Sequence, residues 1–136
     1  MDILNVLEKA TQINSVSGSE NEIRKFISDN VKKYCDELSV DAMGNLIAHK
    51  KGSGKKIMFA AHMDEIGIIV TDIDDKGFVR FSSVGGLNLR NLVNLRVRFA
   101  NGVEGVIGAE EESFKDKPAI SKLYVDLGAA DKKEAE

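Results

Sequence analysis

A short polar string, His62-Met63-Asp64-Glu65, follows an apolar run at residues 57–61 and carries the side chains best suited to chemistry. An unbroken apolar run predicts a strand covered on both faces, as in the middle of an α/β sheet, and ligands bind at the carboxyl ends of such strands. His62 and Asp64 project to one side of an extended chain. The imidazole can therefore bind a divalent metal while the carboxylate orients it.

The same spacing has a plainer interpretation. His62 can be a polar residue at a strand end, with Asp64 and Glu65 in the solvated turn that follows it. A lone His-x-Asp pair is a weak motif, because a catalytic zinc site uses about three protein ligands. The spacing alone leaves both interpretations open.

The N-terminal part of the chain predicts two helices and two short strands. Asp2 is a suitable N-cap for the first helix, whose apolar residues recur at helical spacing. A Ser/Gly break precedes the second helix, and both Ser17/Glu20 and Ser19/Glu22 have the spacing of a capping box. The elements expected here are helices at about residues 3–13 and 23–34 and strands at residues 38–40 and 46–48.

Short strands dominate the rest of the chain. An acidic turn that ends at Gly77 predicts one hairpin, and Asn101-Gly102, a pair typical of type I′ turns, predicts a second. The glycine pair Gly85-Gly86 predicts a tight turn rather than a phosphate-binding loop. The expected strands lie at residues 66–70, 78–81, 93–99, 103–107 and 123–127, and a final helix is expected to begin after Asp131. The change from helices to short strands predicts two structural units that meet near Asp64.

The composition excludes several classes of partner. The 136 residues carry a formal net charge of -3 with both signs interspersed, so we expect neither a nucleic acid nor a membrane as partner. The single cysteine, Cys35, cannot form an internal disulfide, and the N-terminus does not have the pattern of a signal peptide. A reducing, cytoplasmic location is therefore predicted.

Several strings in the chain resemble one protein family and follow its order. The most informative string is Ala61-His62-Met63-Asp64-Glu65-Ile66-Gly67. The others lie at residues 41–48, 77–86, 105–108 and 126–129. Together these strings resemble the M42 family of metallo-aminopeptidases, which includes glutamyl and deblocking aminopeptidases and members labelled cellulase or endoglucanase. The resemblance covers essentially the whole chain.

This resemblance implies an α/β fold with an inserted domain. Residues 1–65 would be the N-terminal part of a zinc-exopeptidase-like catalytic domain. Residues 66–136 would be an incomplete small β-barrel domain used in dimerisation. Dimers of such proteins build large hollow particles, so a homo-oligomer is expected.

The resemblance also implies a site that binds two divalent metals, commonly zinc or cobalt, and acts on peptides. His62 would be a metal ligand, and Asp64 would be the catalytic-site residue that orients it. The remaining ligands and the general base lie farther along family sequences than Glu136. We therefore expect a fragment of a two-metal aminopeptidase that is inactive as an isolated chain.

Other polar residues are not expected to bind metal. His49 is expected at an exposed strand end, and the acidic residues Asp72, Asp74, Asp75 and Glu110–Glu112 are expected in solvated turns. Residues 109–117 are acidic and polar where many family members have a segment with proline and histidine, so no family role is assigned to them. Two alternatives to the peptidase remain, a non-catalytic assembly or interaction module and an endoglucanase. A glucanase would need paired carboxylates that flank a glycosidic bond.

Overall fold

Hydrogen bonds between strands define two sheets in the computed structural model, which describes residues 2–110 and 119–136. The chain divides into one unit at residues 1–65 and another at residues 66–136. The regular elements are α1 (Ile3–Ala10), α2 (Asn21–Val31), β1 (Glu37–Val40), β2 (Leu46–His49), β3 (Gly67–Ile73), β4 (Val79–Val84), β5 (Arg96–Arg98), β6 (Glu104–Ala109), β7 (Leu123–Asp126) and α3 (Lys132–Ala135). The glutamates at 111 and 112, and residues 111–117 of the polar loop, lie outside the described residues.

The helices of the first unit begin differently from each other. The Asp2 carboxylate accepts hydrogen bonds from the amides of Leu4 (3.1 Å) and Asn5 (3.3 Å), which confirms the predicted N-cap of α1. The N-cap of α2 is Glu20, whose side chain makes no capping bond to the helix. The predicted capping box is therefore wrong. The Glu20 carboxylate instead accepts from the Gly18 amide at 2.5 Å, ahead of the helix.

Strands β1 and β2 form a two-stranded antiparallel sheet, with Val40 opposite Leu46. The turn between them is organised by Asp41, whose Oδ1 accepts from the amides of Met43 and Asn45, each at 2.9 Å. The Asn45 side chain donates to Oδ2 at 2.9 Å, and these bonds hold the pKa of Asp41 below its usual range. The string at residues 41–45 is therefore a self-contained turn whose side chains satisfy the backbone.

The predicted buried strand at residues 57–61 is wrong. Its side chains are almost fully exposed, at 79% for Ile57, 88% for Met58 and 94% for Phe59, and the segment forms no strand. A strand that is buried on both faces needs hydrogen-bonding neighbours and two covering layers. The described residues of the first unit supply neither, since Ile23 is the hydrophobic residue buried there.

The second unit is a curled, half-barrel sheet of five antiparallel strands in the order β3-β4-β7-β6-β5. Two hairpins, β3–β4 and β5–β6, confirm the predicted pairings, although β3 and β4 extend beyond the expected bounds. Strand β7 follows in sequence but lies between them, where it pairs with β4 and β6. It therefore joins two local hairpins into one sheet.

One face of this sheet holds the core of the second unit. Its buried members are Val79, Phe81, Leu92, Ile107, Leu123 and Val125. Leu123 and Val125 on β7 are completely buried, and burying a side chain of this size stabilises a fold by about 1.5–3 kcal/mol. The alternation of buried and exposed residues along β4, β6 and β7 places these side chains on one face.

The β5–β6 turn differs from the predicted type I′ turn. That type needs positive φ at both central residues, whereas Gly102 has a φ of 87° and Asn101 is not among the positive-φ residues. The Phe99 amide donates to Val103 O at 2.8 Å, and the Gly102 amide donates to Phe99 O at 2.9 Å. Residues 100–102 therefore form a three-residue loop that ends in a left-handed glycine. At the glycine pair, Gly85 has a φ of 78°, which glycine adopts readily, and the chain bends there without a hydrogen-bonded turn.

An ionic network covers the outer face of the same sheet. The Arg80 guanidinium donates to Asp74 at 3.1 Å and to Glu110 at 2.9 Å, and Lys122 donates to the other Glu110 oxygen at 2.9 Å. Arg80 also lies 5.7 Å from the centre of the Tyr124 ring. Asp74 and Glu110 are therefore bound to cationic partners, rather than simply solvated as predicted. The β3–β4 turn brings Asp74 to Arg80, and the pairing of β7 with β4 and β6 brings Glu110 to Arg80 and Lys122.

Two findings concern the remaining sequence predictions. The Cys35 thiol is half-buried and free, 3.7 Å from the Lys32 backbone oxygen. Among the described residues, every helix is too short and too polar to cross a membrane.

Replacing Gly105 by alanine should destabilise the second unit. A Cβ at this position would lie 2.4 Å from Val125 Cγ1 and 2.9 Å from the backbone oxygen of Asp126, so the central strands would have to move apart. Overpacking of this kind costs about 1–3 kcal/mol. Urea denaturation followed by circular dichroism should show the loss.

Gly86→Ala is the matched control. Its Cβ would meet no atom within 4 Å and its φ is not positive, so the change should stay within about 0.5 kcal/mol. Equal unfolding free energies for the two variants would contradict the close packing of β6 on β7.

The Arg80 network should make the stability of the second unit depend on acid pH. Burial opposes ionisation of Asp74, but bonds from the Phe78 amide and Arg80 outweigh it and lower its pKa. Lys122 and Arg80 lower the pKa of Glu110. Depressed carboxyl pKa values stabilise the fold above the unfolded values of about 4, and this contribution is lost as the pH falls through the folded values.

Arg80→Met should therefore reduce stability at pH 7 and flatten its fall between about pH 5 and pH 2. Urea denaturation over a pH series measures both effects. Arg98→Met, which removes an exposed pair with Glu104, is the control and should leave the acid dependence unchanged. An unaltered pH profile for Arg80→Met would refute the role of the network.

Candidate metal-ligand site

His62 lies in an extended, largely solvent-exposed segment of the first unit. Residues 50–64 contain no regular helix or strand, and the His62 side chain is 84% exposed. The Asp64 side chain is 37% exposed, so it is more enclosed than the histidine that it contacts. Hydrogen bonds to residues 15–17, rather than a place at a sheet edge, hold the end of this segment.

The structure brings His62 and Asp64 together. His62 Nδ1 lies 2.9 Å from the backbone oxygen of Asp64 and 3.2 Å from its Oδ1. A carbonyl oxygen only accepts hydrogen bonds, so Nδ1 carries the proton and donates to it. In the neutral ring Nε2 then keeps its lone pair, which is the form of histidine that binds a metal.

Asp64 has a second partner, Ser17. The Ser17 hydroxyl donates to Asp64 Oδ2, while Oδ1 faces His62. The bond from Ser17 is the main cause that holds the pKa of Asp64 below its usual range. The sequence predicts Ser17 only as a helix cap, and this contact was not predicted. Residues so far apart in sequence give no pattern that could have revealed it.

Backbone pairing holds Ser17 beside Asp64. Val16 and Glu65 form an isolated parallel bridge, in which the Glu65 amide donates to Ser15 O at 2.9 Å and the Ser17 amide donates to Glu65 O at 3.3 Å. The Glu65 carboxylate accepts from the Ser15 amide at 2.9 Å. Ser15 is buried, and this bond satisfies its amide.

The other candidates do not join this site. His49 lies on β2, where its Nδ1 is 3.3 Å from Glu37 Oε2 and both side chains are more than half exposed. Asp72 forms an ion pair with Lys132 in the second unit. Across residues 2–110 and 119–136, groups of three or more potential metal-binding side chains do not occur.

The donor set therefore fits one ligand of a metal site rather than a complete one. A catalytic zinc centre uses about three protein ligands, and here one imidazole nitrogen with an orienting carboxylate is present. His62 and Asp64 have the arrangement in which a carboxylate holds the ring nitrogen that is not bound to metal.

Comparisons with known proteins identify a family for this chain. Residues 44–136 match the sequence profile of M42 glutamyl aminopeptidases. A protein of Acetivibrio thermocellus, whose name places it among the aminopeptidases, is 53% identical over 98% of this chain and 41% of its own length. The lysyl aminopeptidase of Pyrococcus furiosus is 37% identical over 96% of this chain and 41% of its own length.

Solved structures show the same similarity. The TET1 peptidase of Pyrococcus horikoshii superposes with a TM-score of 0.78 at 38% identity, and the match covers 97% of this chain and 42% of that one. A Thermotoga maritima protein described as an endoglucanase superposes with a TM-score of 0.81 at 37% identity, covering 95% of this chain and 40% of that one. The chain thus spans about two fifths of the length of the relatives that it matches.

Proposed function

Because this chain belongs to the M42 family of glutamyl aminopeptidases, we propose that it supplies one metal ligand, His62, to an aminopeptidase that removes N-terminal residues from peptides. The observation that carries the proposal is the His62–Asp64 pair, whose contacts leave Nε2 free to bind a metal. It stands in the string that resembles the family signature. Asp64 is proposed as the residue that orients this ligand.

In such a reaction, His62 and Asp64 would help to hold the metal. A divalent metal, when bound, polarises the scissile carbonyl and activates a water molecule. His62 would hold the metal through Nε2, and Asp64 would orient the ring by accepting a hydrogen bond from Nδ1–H. Zinc or cobalt is proposed as the metal, since an imidazole nitrogen binds divalent transition metals.

The two units have different proposed roles. Residues 1–65 are proposed as the N-terminal part of the catalytic domain, and residues 66–136 as a β-barrel domain used in dimerisation. A reducing, cytoplasmic location is part of the same proposal, since it fits the free thiol of Cys35.

The isolated 136-residue chain should not release amino acids from peptides, because one ligand cannot assemble a two-metal centre. The assay uses a series of peptides with different N-terminal residues, with added Zn²⁺ or Co²⁺. A soluble glucan is included because one structural neighbour is described as an endoglucanase. Peptide cleavage by this chain would refute its proposed inactivity, and cleavage of the glucan alone would favour the glucanase.

A chimera tests the ligand role itself. In this chimera, residues 1–136 of the present chain replace the matching region of the Acetivibrio thermocellus relative. All other residues come from the relative. The chimera should cleave peptides, and His62→Ala should lower kcat/KM by more than about 100-fold, beyond the effect of losing an outer-shell partner. His49→Ala is the matched control and should retain activity. Similar losses in both variants would contradict the assignment of His62.

Self-association of the second unit is the other part of the proposal. The Pyrococcus horikoshii TET1 peptidase is described as able to assemble into a tetrahedron or a large octahedral shell. In this chain β3 is an edge strand among the described residues, with Ile69 58% exposed and Val70 44% exposed. An exposed apolar edge favours pairing with another chain.

Sedimentation equilibrium should therefore show a concentration-dependent oligomer. Ile69→Lys should weaken association by about tenfold or more, because lysine on an edge strand opposes pairing. Ile3→Lys, at an exposed apolar position of α1, is the control and should have little effect. A monomer at all concentrations would exclude the assembly role. Oligomers without activity in the chimera would favour a non-catalytic assembly module.

A further inference from the structure

We infer that Ser17 is a positioning residue for His62, which acts by fixing the rotation of the Asp64 carboxylate. The functional meaning of this inference rests on the proposed role of His62 as a metal ligand. The geometry behind it, a chain of contacts from Ser17 through Asp64 to the imidazole, can be tested without any catalytic activity.

The first step is that the two oxygens of Asp64 have different partners. Oδ2 accepts from the Ser17 hydroxyl, and Oδ1 lies 3.2 Å from His62 Nδ1. A carboxylate held at one oxygen cannot turn freely about its χ2 bond, so the second oxygen stays directed at the ring. Without the hydroxyl, rotation of the carboxylate would separate Oδ1 from Nδ1.

The second step is that Ser17 itself is fixed by the backbone. Its amide donates to Glu65 O at 3.3 Å, and the Ser19 amide closes the turn behind it by donating to Val16 O at 2.8 Å. Glu65 follows Asp64 directly in sequence, so its pairing with Ser15 and Ser17 holds the hydroxyl beside the carboxylate.

The third step concerns the exposure of His62. Its side chain is 84% exposed, so packing does not select a ring orientation. The two contacts with Asp64, to the backbone oxygen at 2.9 Å and to Oδ1, hold the ring instead. Fixing a ligand before a metal binds lowers the entropy lost on binding. Ser17 therefore helps to present Nε2 in one direction.

The test is the tautomer of His62 in the 136-residue chain labelled with ¹⁵N-histidine. Long-range ¹H–¹⁵N spectra at about pH 8.5, where imidazoles are ordinarily neutral, distinguish the Nδ1–H from the Nε2–H form. The native chain should show the Nδ1–H form at His62. Ser17→Ala should shift His62 toward a mixture of both forms, although the Asp64 backbone oxygen retains part of the preference.

Three controls accompany this measurement. Ser17→Thr retains the hydroxyl and should restore the native spectrum, whereas Ser19→Ala, in the same turn, should leave it unchanged. His49 is an internal reference, since its Glu37 contact lies on the β1–β2 sheet and its nitrogen shifts should not move. Backbone amide spectra confirm that each variant is folded. Identical His62 shifts in the native chain and in folded Ser17→Ala would overturn the inference.

The chimera gives the second readout. Ser17→Ala should weaken Zn²⁺ binding by about 10–100-fold, as for other partners that orient a ligand, and Ser17→Thr should not. Isothermal titration with Zn²⁺ measures this directly. Unchanged Zn²⁺ affinity in Ser17→Ala would overturn the positioning role. If His62→Ala also left binding intact, the proposed ligand role would fail separately.

Discussion

Strand β7 holds the second unit together. The two hairpins, β3–β4 and β5–β6, each form from residues that are close in sequence, but neither hairpin can bury its apolar face alone. β7 pairs with one strand of each hairpin and contributes Leu123 and Val125, both fully buried. The curled sheet, its core and its ionic network all depend on this insertion, because it brings Arg80 on β4 close to Glu110 and Lys122, which flank the paired ends of β6 and β7.

The structure of the first unit depends on polar contacts to a greater extent than that of the second unit. It buries few apolar side chains among the described residues, and it exposes Ile57, Met58 and Phe59. What orders the region around His62 is a set of hydrogen bonds that connects residues 15–17 with Asp64 and Glu65. Such contacts fix the orientation of side chains but add little to the free energy of unfolding, since hydrogen bonds at exposed positions replace equivalent bonds to water. That property suits a segment whose proposed task is to present one ring nitrogen.

The sequence predicts the strands of the second unit more accurately than those of the first. In the second unit, alternation along the chain and glycine-containing turns predict the hairpins, and the structure agrees. The error at Asn101-Gly102 is small, since the hairpin forms with a three-residue loop. In the first unit the apolar run at residues 57–61 predicts a buried strand that the structure does not contain. An apolar run shows which side chains could be buried. Their burial also requires neighbouring strands and covering layers.

The sequence by itself determined the local features: the Asp2 cap, the Asp41 turn, the hairpins, the closeness of His62 to Asp64 and the resemblance to the M42 family. These depend on residues a few positions apart, whose geometry is set by backbone dihedrals and short-range hydrogen bonds. Only the tertiary structure decided that β7 enters between the hairpins, that Arg80 joins Glu110, and that Ser17 bonds to Asp64 instead of capping α2. These contacts join residues that are distant in sequence or compete with local alternatives, and their formation depends on the free energy of the whole fold.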